Sequence, residues 1–351
     1  MNLSKDLSVV VLAAGKGKRM KSQTPKVLHS ILGRPMLYYV LSTVRELNPA
    51  NIFTVTGYKR EEVSDYIKNN FPEVKIVVQE NQLGTANAVY AIRENKNSLA
   101  RNTIILSADT PLVSLETLKK LVNNKERAGS VVSLVTAVVP DPEGYGRIIK
   151  DRKGNIVKII EETDATPEEK KINEVNTSIY CFETQSLFYY LEKIKSSNVQ
   201  NEYYLTDIIE MLVKNREKVS YIRIPDYIEI AGINDRVQLS MVESIMQKRV
   251  NENFMKNGVT IKNPESCYIE STVVIDRDVV IGPSCLIKGE TVIGENSIIG
   301  PFCQIIDSVI GEGSRINSSL IEGSNISKNS NIGPFAYIKH DVIIKDSEIK
   351  K

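Results

Sequence analysis

The sequence predicts two successive folds: an α/β domain on a mixed, mainly parallel sheet, then a parallel β-helix. Three observations carry this. Short apolar strands alternate with helical stretches from Ser8 to Val139. A glycine turn directly follows the first strand. Isoleucine then recurs every six residues through the last third, at 269, 275, 281, 287, 293, 299 and 305. A period of six fits neither an α-helix nor an alternating strand. It fits a triangular coil whose short sides are hexapeptides, with isoleucine filling the axis.

Bulk properties exclude several classes. At 351 residues the chain favours two domains. Hydrophobic residues make up 42% and charged ones 25%, which is ordinary for a globular protein. The net charge of +2 gives no case for nucleic acid or a membrane surface as partner. The apolar stretch Val9–Ala14 is too short to span a bilayer and follows no signal-peptide pattern, so a cytoplasmic location is expected. Four cysteines without a CxxC argue against a zinc site or a disulfide scaffold.

The elements follow in order. Ser8–Val11 reads as a buried strand. Gly15 and Gly17 turn the chain, with Lys16, Lys18, Arg19 and Lys21 around them and Lys26 after Pro25. Such a turn aims N–H groups and cations at phosphate. The P-loop and dinucleotide spacings both fail, since Met20 stands at the third glycine's place. A helix opens at Pro35, and a strand covers Ile52–Thr56. A helix over Arg60–Asn70, a strand at Lys75–Val78 and the loop from Gln79 into another helix come next. Strand Thr103–Leu106 ends at Asp109, and a helix over Ser114–Lys125 precedes strand Val131–Val139. Gly15, Gln79 and Asp109 all fall at strand carboxyl ends, where open α/β sheets bind ligands. Strands at Asn155–Glu161 and Asn173–Phe182 and a helix at Leu205–Val213 follow, and Asn234 is expected to cap a helix over Asp235–Asn253. The expected domains are 1–233, a linker helix 234–258, and the β-helix 259–351. Cys267, Cys285 and Cys303 are spaced one full coil apart and should stack as small core residues. The two histidines, His29 and His340, read as structural.

The string L-A-A-G-x-G-x-R-M from Leu12, with P-K-V-L from Pro25, resembles the signature of sugar-1-phosphate nucleotidylyltransferases. It is most similar to the N-acetylglucosamine-1-phosphate uridylyltransferase family, here with a shortened left-handed β-helix. Lys18 departs from the usual threonine, and Ser107-Ala108-Asp109 from the usual Tyr-Gly-Asp. The resemblance implies that Leu12, Ala13, Ala14 and Gly15 bind nucleotide, and that Gln79 with Gly84 and Thr85 reads the uracil edge. It implies that Gly146, Glu161 and Asn176 bind the amino sugar, with Thr206 beside them, and that Asp109 and Asn234 share Mg²⁺. Arg19, Lys26 and Asp109 would be catalytic.

The implied reaction is in-line attack of the sugar phosphate on the α-phosphorus of UTP, which needs positioning and charge neutralisation rather than acid–base chemistry. A homotrimer through the β-helix is expected. The full-length family also acetylates glucosamine-1-phosphate. The later β-helix motifs of that activity are missing from this sequence, so uridylyl transfer alone is expected. Two alternatives stay open at this level: another sugar phosphate (of glucose or N-acetylgalactosamine) or dTTP, and a non-catalytic exchange-factor-like regulator.

Overall fold

The computed structural model describes residues 6–196 and 198–339, and the backbone of Ile343–Ile344 and Glu348–Ile349. His340 lies outside the described residues. The chain forms two compact units, Met1–His29 with Pro35–Gln238, and Ser30–Arg34 with Leu239–Lys351. No helix among the described residues is long and apolar enough to cross a membrane.

The first unit is built on a nine-stranded sheet. Its strands are β1 (Leu7–Ala13), β2 (Asn51–Thr56), β3 (Lys75–Val78), β4 (Asn102–Ser107), β5 (Val132–Val138), β6 (Arg147–Lys150), β7 (Ile156–Ile160), β8 (Glu174–Glu183) and β9 (Val219–Ile224). The main path runs β9-β5-β8-β4-β1-β2-β3, with β6 pairing β8 and β7. β1 is central and parallel to both β2 and β4. Consecutive residues Val9, Val10 and Val11 are all buried, so both faces of the strand are covered. Each such side chain contributes about 1.5–3 kcal/mol on burial.

The sheet is mixed, as expected: β8 runs antiparallel to β4 and β5. Its register against β5 slips between Asn176 and Tyr180, where Ser178 takes φ 58°. Bulges of this kind re-aim side chains beside functional clefts. The helices are α1 (Met36–Glu46), α2 (Arg60–Asn70), α3 (Thr85–Tyr90), α4 (Leu115–Ala128), α5 (Thr184–Leu191), α6 (Asp207–Lys214) and α7 (Arg236–Lys256). Ser114 caps α4 by accepting from Thr117 N, and Gly129 ends it in the left-handed region. Strand β9 and helix α5 were not expected from the sequence.

The expected cap of α7 needs correction. Asp235 Oδ1 accepts from Gln238 N at 2.9 Å, so Asp235 is the N-cap and Asn234 is not. Asparagine and aspartate cap about equally well, so propensity does not separate neighbours. The carboxamide of Asn234 is engaged elsewhere.

In the second unit, three parallel sheets of six, five and five strands stack into the expected β-helix. All seven isoleucines of the six-residue series are buried. Ile287 pairs with Ile305, eighteen residues on, but Ile305 pairs with Ile321, sixteen on, and Ile321 with Ile338, seventeen on. The shorter coils are the source of the phase slip near Ile310–Ile321. The register also stacks the cysteines: Tyr268 N donates to Cys285 O at 2.9 Å and Leu286 N to Cys303 O at 2.8 Å. Asn251 of α7, buried, donates from Nδ2 to Pro264 O and Cys267 O, pinning the helix on the first coil.

Candidate active site

The chain leaves β1 at Ala13 and turns sharply. Gly17 sits at φ 57°, and a Cβ there would lie 2.6 Å from Lys26 Cβ. Only glycine both adopts this conformation cheaply and lets the turn close on the Lys26 stretch. Gly15 is different: a Cβ on it would meet nothing within 4 Å. It faces open space. Met20 is buried, and its N–H donates to Gly17 O at 2.9 Å, so it anchors the turn where P-loop and dinucleotide turns place glycine. Arg236 Nε donates to Met20 O, and its NH1 lies 3.4 Å from His29 Nδ1. Burial, then the charge of Arg236, holds His29 below the usual histidine range. Lys16, Lys18, Arg19 and Lys21 make no ion pair among the described residues, and all four are solvent-exposed.

Lys26 is held by two groups remote in sequence. Its Nζ donates to Asp109 Oδ2 and, at 2.8 Å, to Asn234 Oδ1. Asp109 sits just past the end of β4, where Ile233 N donates to Asp109 O at 2.9 Å, which brings Asn234 alongside. Burial opposes the Asp109 charge, but the Lys26 ammonium overrides this and holds the carboxyl below the usual carboxylate range. The ammonium thus stands between the two oxygens to which the family resemblance assigns a metal. One anionic and one neutral hard oxygen suit a divalent cation completed by phosphate and water oxygens. Among the described residues no group of three or more His, Cys, Asp or Glu side chains forms a protein-only metal cage.

A cleft of about 480 Å³ opens beside the glycine turn. Leu12, Ala14, Gly15, Gln79, Gly84, Thr85, Glu161 and Thr206 all line it. Gln79 is buried and donates from Nε2 to Gly84 O and Asn87 Oδ1. Gly84 has φ 109°, and a Cβ there would lie 2.5 Å from Tyr203 O. That close approach lets Tyr203 N bond Leu83 O and Ala86 N bond Tyr203 O, fixing the loop into α3. On the other wall, Thr206 Oγ1 donates to Glu161 Oε1 at 2.9 Å. Burial pushes the Glu161 carboxyl above its usual range, Thr206 opposes this in part, and Asp207, Asp164 and Glu202 push it further up. Gly146 backs Glu161: a Cβ would stand 3.3 Å from Glu161 Oε2.

Not every expected residue lines this cleft. Ala13 is buried in β1, and Arg19 lies exposed on the turn Lys18–Met20. Asn176 is buried behind Tyr180, whose hydroxyl donates to Asn176 Oδ1 at 2.9 Å. Tyr180 and Ser178 line the cleft instead, brought there by the slip in β8. Tyr180, Ser178, Gln82 and Glu202 escaped the sequence reading: no spacing marks the bulge behind the first two, and the last two lie in loops. Tyr145 also escaped it. Burial raises its phenol above the usual range, a bond to the Gly232 backbone opposes this, and the Asp109 charge adds to the rise, which places it beside the Lys26 cluster.

Comparison with known proteins gives a consistent picture. Residues 8–227 match the family described as Nucleotidyl transferase, and residues 267–351 match the GMPPB C-terminal domain. Curated relatives carry the name "Bifunctional protein GlmU". One from Lactobacillus delbrueckii subsp. bulgaricus is 42% identical over 337 residues, covering 96% of this chain and 72% of the relative. One from Pelotomaculum thermopropionicum is 43% identical over 334 residues, covering 95% and 72%. One from Thermoanaerobacter pseudethanolicus is 43% identical over 339 residues, covering 97% and 73%.

The Lys26 cluster makes a pH prediction. With Lys26 present, the depressed Asp109 contributes stability above its unfolded pKa, which is lost as pH falls through the folded value. In Lys26→Met burial is opposed only by hydrogen bonds from Ser107 and the backbone, so the folded pKa of Asp109 rises and the stability gained above it is reduced. The gap in Tm between the protein and Lys26→Met should therefore widen from about pH 4 to pH 7. A gap independent of pH in thermal melts would contradict the pairing.

Proposed function

This chain belongs to the nucleotidyl transferase family, among the N-acetylglucosamine-1-phosphate uridylyltransferases, and is a sugar-1-phosphate nucleotidyltransferase; from that premise we propose that it joins UTP to N-acetylglucosamine-1-phosphate and releases pyrophosphate. The observation that carries the reading is the cleft itself. One wall presents Gln79, Gly84 and Thr85, suited to a base edge, and the other presents Glu161 and Thr206, suited to sugar hydroxyls. Gly15, Lys16 and Lys18 of the glycine turn line the same cleft, where a triphosphate would join the two.

In this reading the sugar-phosphate oxygen attacks the α-phosphorus in line, and pyrophosphate leaves with the P–O bonding pair. The nucleophile is already an anion, so no base is needed. Lys16, Lys18 and Arg19 hold the triphosphate, and Arg19 meets the charge that grows on the leaving pyrophosphate. Leu12, Ala14 and Gly15 shape the floor under the nucleotide, and Ala13 packs beneath them in β1. Asn176 orients the sugar wall through Tyr180. Asp109 and Asn234 would hold Mg²⁺, which supplies positive charge against the phosphate oxygens. The word "bifunctional" in the relatives' name is said of those proteins.

A pyrophosphate-release assay across sugar phosphates and nucleoside triphosphates tests the substrate pair. UTP with N-acetylglucosamine-1-phosphate should be fastest; faster turnover of glucose-1-phosphate or of dTTP would overturn the choice. In the same assay Asp109→Asn should lower kcat/KM by about 10² or more, or roughly 3 kcal/mol of transition-state stabilisation. Near-normal rates in a destabilised protein would instead make Asp109 structural.

The β-helix supports a homotrimer. Val274, Val292 and Val309 stand in register on one outer face and are 52%, 36% and 44% exposed, a stripe available to a neighbouring copy. Light scattering should give three times the 39.3 kDa chain mass at micromolar concentration, and a monomer would contradict it.

A further inference from the structure

Gln79 carries the base recognition proposed above, and the role assigned below to Asn87 rests on that reading. The Gln79 side chain lines the cleft from the residue after β3. The NH₂ end of its amide is fully committed: Nε2 donates to Gly84 O at 3.2 Å and to Asn87 Oδ1 at 2.8 Å. A backbone carbonyl only accepts, so the end of the Gln79 amide that faces Gly84 O is its NH₂, held there by the longer of the two bonds. Asn87 must then turn its own oxygen inward to receive the second hydrogen. No described residue donates to Gln79 Oε1. The group left for a ligand is an acceptor.

Asn87 itself does not line the cleft. It lies on α3 and lines two other hollows with Tyr90, one of which Gln79 also borders. We propose that Asn87 is the positioning residue for base specificity: by taking the second amide hydrogen it locks Gln79 with Oε1 toward the cleft. There the oxygen accepts from the N3–H of uracil. Cytosine carries a lone pair at N3, so the same oxygen meets it with repulsion and an unpaired acceptor. Thymine shares the N3–H, so this device separates uracil from cytosine and is blind to the thymine methyl. Without Asn87, Gly84 holds one hydrogen only, at the longer distance, and the amide loses its rotational lock.

The test uses the full chain and compares kcat/KM for UTP and CTP with the same sugar phosphate. Asn87→Ala removes the acceptor with a good helix former, and Asn87→Leu also denies the gap to water. Both should lower the UTP:CTP ratio by about tenfold or more, while Asn87→Asp, which keeps an acceptor in place, should hold it within about threefold. Asn87→Ala carries the comparison should Asn87→Leu fold poorly. A fall in both nucleotides alike, with the ratio intact, would make Asn87 merely structural and overturn the inference. So would a loss in Asn87→Asp as large as in Asn87→Leu. If the unaltered protein shows no preference for UTP over CTP, the base reading fails first, and the inference with it.

Discussion

One ammonium group, Lys26 Nζ, is held by Asp109 and Asn234, so that three segments far apart along the chain meet at it. Much of the first unit is arranged to make that meeting possible. β1 must be central so that the glycine turn leaves it beside the end of β4. Gly17 must lack a Cβ so that the turn can approach Lys26. Asp235 must take over the capping of α7 so that the Asn234 carboxamide is free to face the lysine. A partly buried pair of this kind gains little net stability after desolvation. Its value is positional, since it keeps two oxygens converged beside the glycine turn.

The two walls of the cleft solve a different problem. In the proposed reaction a base edge and a sugar must be read by groups whose donor and acceptor ends are fixed beforehand. On one wall the amide of Gln79 is oriented by a backbone carbonyl and a second amide. On the other, Asn176 Oδ1 accepts from Tyr180 Oη, and Glu161 accepts from Thr206. Each recognition residue therefore has a partner that fixes its direction. The glycines at 84 and 146 serve the same end by allowing close packing behind the reading groups.

Much of this was legible in the sequence, and the parts that were not share a cause. Strand ends carrying Gly15, Gln79 and Asp109 follow from apolar runs that only a buried sheet satisfies. The β-helix follows from a period that no other regular structure shares. What failed depended on tertiary partners. Asn234 and Asp235 are both good caps, and Lys26 decides between them. The bulge that brings Tyr180 and Ser178 to the cleft leaves no local signal, because Asn176–Tyr180 reads as an ordinary strand. The shortened coils near Ile310–Ile321 show only as a slip of phase. Asn87 looks like any polar helix residue until Gln79 is seen to lean on it.

The central claim is that Asp109 and Asn234 form a cation seat that the Lys26 ammonium fills in the free protein. Crystals soaked with Mn²⁺ and a non-hydrolysable UTP analogue test it most directly through the anomalous signal of manganese. The account predicts a manganese peak bound to Asp109 and Asn234, with Lys26 Nζ moved off both oxygens. Manganese bound to the triphosphate alone, with Lys26 still bridging Asp109 and Asn234, would contradict it.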